Sequence, residues 1–277
     1  MAEQKKDNWS TEEYQNAAAF VPKLATKVVQ WLDIQKDDRI LDIGCGDGVL
    51  DVDFAHVLAE GEGSLHGVDS SAAMIETTNR VVGETKLKKF KFEVIDANAL
   101  NAEALPKFNK AFSNAAMHWI LKPKTAGAFF TTVRDVLEPG GSFVFEMGGL
   151  GNVKEMRTAL IMATAGRIGI ERALAVDPWF FPDEEWMRRT LEDEVGGWKV
   201  ERIELEWRPT PTGDTGVEGW ARLMGKVFFD AVREEKGDEA AEEAVREASE
   251  ALQFVCDDGS GGQVISYVRL RCIARKV

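Results

Sequence analysis

The sequence predicts an α/β protein with a doubly wound, mostly parallel seven-stranded sheet and an inserted helical cap. Three observations carry that expectation. Short apolar runs alternate with helical stretches through the first half of the chain, the pattern of parallel strands joined by right-handed crossovers. A glycine-rich segment, Asp42-x-Gly44-x-Gly46-x-Gly48, lies between the first apolar run and the helix after it. Acids close two later runs, at Asp69 and Asp96.

Phe20, Val21, Leu24, Val28 and Leu32 recur at helical spacing and predict a helix over residues 11–32, with Thr11 as its N-cap. Residues 39–43 form an apolar strand running into glycine, and 47–59 read as helix. A second strand spans 64–69, and a helix opened by Ser70 or Ser71 covers 71–82. Alternation over 90–95 gives a third strand, and 110–113 a fourth that is followed by Asn114. A helix over 125–137 is closed by residues 138–141, a Pro-Gly-Gly cluster that a helix does not cross. Residues 142–147 make a fifth strand.

The order then changes. Two helices are expected within 152–194, around Asp177 and Pro182. A strand follows over 198–207, then helices over 215–232 and 238–254, the last rich in Ala and Glu. Residues 263–274 form the final strand. One domain is expected throughout, with a core of 36–147, 198–207 and 263–277. A helical lid would come from 1–35, 150–195 and 210–255.

A chain of 277 residues is long enough to bury a substantial core. Its net charge of −13 disfavours nucleic-acid and anionic-membrane partners. The three cysteines, Cys45, Cys256 and Cys272, form no disulfide framework and no zinc pair. That usage, with no signal-peptide or membrane-spanning pattern, points to the cytoplasm. The histidines are dispersed, so no metal is expected. A monomer or homodimer is expected.

Glycines after a first strand let the backbone turn sharply and approach a ligand closely, and the helix behind them offers free N–H groups. Ligands of doubly wound sheets lie at the carboxyl ends of the strands. Residues 42–48 are therefore placed to hold a nucleotide-like cofactor. A nicotinamide dinucleotide fingerprint needs Gly-x-Gly-x-x-Gly, but here the third glycine is Gly48 and the required position holds Val49. Asp69, about twenty residues on, is placed to accept both ribose hydroxyls. Its simpler reading is a helix cap. Asp96 could accept from an adenine amino group, with the Ala97 N–H beside it. Alone it reads as a turn residue.

These residues resemble the class I S-adenosylmethionine-dependent methyltransferases, which have a Rossmann-like fold. Residues 41–48 look like the family's first motif, Val68, Asp69 and Ser70 with Met74 and Ile75 like its second, and Ile95, Asp96 and Ala97 like its third. The resemblance implies S-adenosylmethionine as cofactor. Gly44, Cys45, Gly46 and Gly48 would pack on its amino-acid part, with Asp42 helping to hold that end. Asp69 and Ser70 with Met74 would flank the ribose, and Asp96 and Ala97 the adenine. Asn114 would line the sulfonium side, and Tyr14 would also touch the cofactor. A narrower likeness, in Trp9, Tyr14, residues 114–119 and 262–274, is to the trans-aconitate methyltransferase group, which methylates carboxylates of small acids.

The implied activity is in-line methyl transfer to a small-molecule acceptor, by O-methylation and on a carboxylate. An amine or phenol is the alternative acceptor, and a binding protein or partner subunit without its own chemistry is the non-enzymatic one. His118 is the candidate catalytic residue, as acceptor contact or general base. Trp9, Trp119, Trp179 and Trp220 are candidate substrate contacts, though an aromatic residue at such a site also serves as plain core. Arg222 is the candidate partner of a substrate carboxylate, against the simpler reading of a surface arginine on an amphipathic helix.

Overall fold

A computed structural model describes residues 25–83 and 89–277. Seven strands form one sheet: β1 (Arg39–Ile43), β2 (Ser64–Asp69), β3 (Phe90–Val94), β4 (Phe108–Asn114), β5 (Leu137–Gly148), β6 (Trp198–Pro211) and β7 (Val264–Lys276). Their order is β3-β2-β1-β4-β5-β7-β6. β7 runs antiparallel to both neighbours, and every other pair is parallel. The chain winds outward from β1 through β3, then returns to start β4 on the other side of β1. The carboxyl ends of β1 and β4 thus flank the point where the winding reverses, which opens a crevice there.

Ile40, Leu41, Asp42 and Ile43 of β1 are all buried, as expected of a strand covered on both faces. One face is covered by α1 (Thr26–Leu32), α2 (Val49–Leu58) and α3 (Ala72–Gly83), through Val28, Leu32, Phe54 and Ile75 against Ile40, Phe112 and Val144. The other is covered by α5 (Ala126–Val136), through Phe129, Phe130 and Val133 against Phe143 and Phe145. A short helix, α4 (Met117–Ile120), follows β4. A third cluster joins α6 (Lys154–Ile168), α9 (Gly216–Met224), α10 (Lys226–Lys236) and α11 (Asp238–Val255) to the start of β7.

Several expectations change. Of the helix over 11–32, residues 25–32 fall among those described; seven of them form α1, and they pack on the sheet instead of in a lid. Residues 152–194 hold three helices, α6, α7 (Ile170–Val176) and α8 (Glu184–Arg189), the last continuing into a π turn (Thr190–Val195). Met187 and Leu191 of that last stretch also join the core under the sheet. The helix over 215–232 is two, α9 and α10, broken at Gly225. A Cβ there would lie 2.5 Å from both the Ala221 carbonyl oxygen and Leu160 of α6, so the position favours glycine. Residues 138–141 are not a turn outside the sheet. They form an irregularity within β5, where the register with β4 steps from Phe108↔Leu137 to Lys110↔Ser142.

Candidate active site

β1 feeds directly into the glycine loop. Gly44, Gly46 and Gly48 all have positive φ, 77°, 60° and 77°, a region that non-glycine residues enter only with strain. They serve different ends. A Cβ on Gly44 would lie 2.2 Å from the Ala116 Cβ, and one on Gly48 2.5 Å from Thr78, whereas one on Gly46 would meet nothing within 4 Å. Gly44 and Gly48 therefore permit packing, and Gly46 keeps backbone open to a ligand. The loop is tethered: Gly44 N–H donates to the Val68 carbonyl at 2.8 Å, and the Thr78 hydroxyl donates to the Gly46 carbonyl at 2.7 Å. Asp69 holds it from β2, its Oδ2 accepting from Gly46 N–H at 3.1 Å and its Oδ1 from Ser71 N–H at 2.9 Å.

A cavity of about 1050 Å³, part of it open to solvent, extends from this loop across the carboxyl ends of the strands. At one end it is lined by Gly44, Gly46, Asp69, Ser70, Met74, Asp96, Ala97 and Asn114. Asp96 also caps the following turn, accepting from Asn98 N–H at 3.0 Å. The Asn114 Oδ1 is buried without a hydrogen-bond partner among the described residues, an acceptor awaiting a donor. The far end is lined by His118, Trp119, Trp179 and Trp220, together with Phe181, Met224, Asn152, Tyr267 and Arg269.

Backbone strain gathers here. Among the described non-glycine residues with positive φ, Ala115 (56°) and Val153 (45°) both line the cavity, and such conformations cluster at functional sites.

Four expected site residues lie elsewhere. Asp42 and Gly48 sit behind the loop, outside the cavity lining. Burial, then the charge of neighbouring Asp51, holds the Asp42 carboxyl well above the usual range, and burial pushes Asp51 up to about 7. Burial thus disfavours charge on the pair, which lies under the loop and outside the cavity lining. Cys45 turns its sulfur toward Gly67, away from the cavity. Arg222 lies on the outer face of α9, paired with Glu218 and Glu242 at 2.9 Å each. Its partners are exposed acids, so the amphipathic-helix reading holds. Trp9 and Tyr14 lie outside the described residues.

Arg269 and Tyr267 are the site residues that reading the sequence missed. They alternate with Arg271 on one face of β7, and large polar residues at every second position of a buried strand were the available signal. Arg269 is 2% exposed, its ring-facing contact is Tyr267 at 4.6 Å, and its Nε stands 3.7 Å from Glu146 without a hydrogen bond. Glu146 is instead hydrogen-bonded by Arg271, which also pairs with Glu204 and Glu206. Lys27 pairs with the same two glutamates, and Arg208 reaches Glu146 at 3.5 Å.

His118 is buried and accepts from Gly148 N–H at its Nδ1, at 3.2 Å. Burial, then the charges of Arg269 and Lys122, hold its pKa well below the usual imidazole value. A neutral ring with Nδ1 so occupied carries its proton on Nε2, which makes that nitrogen a donor.

A family model described as a methyltransferase domain matches residues 40–141, the span from β1 to the bulge of β5. An uncharacterized methyltransferase of Schizosaccharomyces pombe is 33% identical over 276 residues, covering 98% of each chain. The chain belongs to the class I S-adenosylmethionine-dependent methyltransferases. A solved structure of a putative methyltransferase from Bacillus halodurans superimposes with a TM-score of 0.58 over 91% of this chain and 97% of that one, at 14% identity, which concerns the fold alone. Trans-aconitate 2-methyltransferase of Pseudomonas paraeruginosa is 32% identical over 74 residues, 27% of this chain and 26% of that one. The site fits the cofactor: open backbone at Gly46, an unpartnered acceptor on Asn114 and carboxylates at the ends of β2 and β3 suit a ligand bearing hydroxyl and amino donors.

Proposed function

We propose that this methyltransferase methylates a carboxylate oxygen of a small-molecule acid. Arg269 carries the reading: a buried guanidinium, its Nε without a hydrogen bond among the described residues and 3.7 Å from a Glu146 that Arg271 and Arg208 also share, lines the far end of the cofactor cavity. A buried cation that shares its one printed carboxylate with two other arginines has room for a further anionic partner, and the guanidinium fork matches a carboxylate. The name of the trans-aconitate relative points the same way.

In this reading Asp69 accepts the ribose hydroxyls, Asp96 and Ala97 flank the adenine, and Gly44, Gly46 and Asn114 take the amino-acid and sulfonium end. S-adenosylmethionine supplies an activated methyl group. Arg269 orients the acceptor carboxylate, and the aromatic walls exclude water. A carboxylate is ionised at neutral pH and needs no base. His118 then acts as an N–H donor to the acceptor, not as a base. A phenol acceptor would call for a base, which His118, with its depressed pKa and its Nδ1 occupied, is poorly suited to provide. The α6 and α9–α11 cluster forms a helical cap over the acceptor end, and a small acid in the cytoplasm is the substrate class that fits.

Turnover of S-adenosylmethionine to S-adenosylhomocysteine, measured against parallel panels of acids, amines and phenols, tests the assignment. Acids should be the active panel. Turnover confined to amines or phenols would refute it.

A further inference from the structure

We infer that the acceptor is a monocarboxylic acid with an apolar, ring-sized body, and that Arg269 is the residue that selects it. This rests on the carboxylate reading and adds the shape and charge of the acid.

The first observation is where the cations sit. The ion pairs around Glu146, Glu204 and Glu206 gather Lys27, Arg208, Arg269 and Arg271. Arg271 and Lys27 lie against the glutamates, and of the four only Arg269 lines the cavity. Among the described lining residues Arg269 is the one arginine or lysine, and one such group matches one carboxylate.

The second observation is the wall. Trp119, Trp179, Trp220, Phe181 and Met224 face the same chamber, and the Trp119 and Trp179 rings meet edge to face with centroids 5.4 Å apart. Two polar groups beside the wall are engaged within the chain. Trp220 Nε1 donates to the Tyr267 hydroxyl at 2.6 Å, and Asn152 Oδ1 accepts from Val268 N–H at 2.9 Å. Against the described walls, a second carboxylate on the acceptor would lie on aromatic carbon away from Arg269, which is strongly unfavourable. An apolar or aromatic body would bury its surface there at no such penalty.

The transfer balances without a proton. The carboxylate oxygen bonds the methyl carbon as the carbon–sulfur bond breaks, its electron pair remaining on sulfur. The acid loses its charge and becomes a neutral ester. Arg269 then holds the product less tightly than the substrate, which favours release.

The test compares kcat/KM of the full chain for phenylacetate and octanoate with that for succinate and trans-aconitate, at saturating S-adenosylmethionine. The monoacids should lead by about tenfold or more. Arg269→Gln should raise their KM without changing the KM for S-adenosylmethionine, and Arg269→Lys should recover part of the loss. Calorimetric binding of the same acids to the protein saturated with S-adenosylhomocysteine gives a second readout and does not depend on turnover. A preference for succinate or trans-aconitate would overturn the inference and leave the carboxylate reading intact. Activity on amines or phenols alone, or failure of every acid to bind or react, would overturn both.

Discussion

Asp69, proposed above to accept the ribose hydroxyls, also tethers the glycine loop, and its replacement has a size that follows from its contacts. Its two carboxylate oxygens accept from Ser71 N–H and Gly46 N–H, so it both shapes the glycine loop and presents charge at the end of β2. Asp69→Ala removes the loop tethers and the acceptors assigned to the ribose hydroxyls. A hydrogen bond to a charged group nets about 1.5–3 kcal/mol, and less where solvent reaches it. Asp69 is only partly buried, so the summed loss in binding free energy is about 1–3 kcal/mol, a rise in Kd of about 5- to 150-fold. Asp69→Asn, which keeps the shape and one acceptor, should fall between. The assay is titration calorimetry with S-adenosylhomocysteine on variants whose circular dichroism matches that of the parent. A folded Asp69→Ala variant with Kd within about twofold of the parent would remove Asp69 from the site.

Three other outcomes are expected. Gly44→Ala forces a Cβ to within 2.2 Å of Ala116 at positive φ; it should cost about 2–4 kcal/mol and lower Tm by about 5–15 °C, and a melting curve unchanged from the parent would contradict that geometry. His118 is held neutral well below its ordinary pKa, so the kcat profile should lack an ascending limb near about pH 6.5. A limb there that disappears in His118→Gln would restore a base role. Asp51 is raised from 3.8 to about 7 by burial, so between those values the folded state holds a proton that the unfolded chain has shed. Its contribution to stability therefore falls as pH rises through that window. Asp51→Asn should melt higher than the parent at alkaline pH, by about 1–3 kcal/mol, with the gap closing as pH falls toward the lower end. A gap that stays constant with pH would show that the buried pair does not titrate there.

The cofactor end was legible in the sequence because its signals are local. A strand, a glycine loop and a helix adjoin along the chain, and the acids at Asp69 and Asp96 close their own strands. Three-dimensional facts decided the rest. Cys45 lies inside the loop in sequence, yet its sulfur points toward Gly67 because the following glycines turn the chain. Asp42 reads as a ligand contact until Asp51, one helical turn into α2, is seen beside it. Choosing between Arg222 and Arg269 required knowing which surface each element buries. Arg222 sits on a helix with a charged outer face, whereas β7 lies between β5 and β6 with Arg269 and Arg271 enclosed. The crowding at Gly225 comes in part from Leu160, 65 residues away in the chain.

The identity of the atom that receives the methyl group tests the account most directly. With 13C-methyl S-adenosylmethionine and a monocarboxylic acid that the enzyme turns over, the labelled carbon of the product can be assigned by NMR. The account predicts an ester methoxy carbon, coupled through oxygen to the acid's carbonyl, and a signal that Arg269→Gln diminishes. A label on nitrogen, on a phenolic oxygen or on carbon would contradict it.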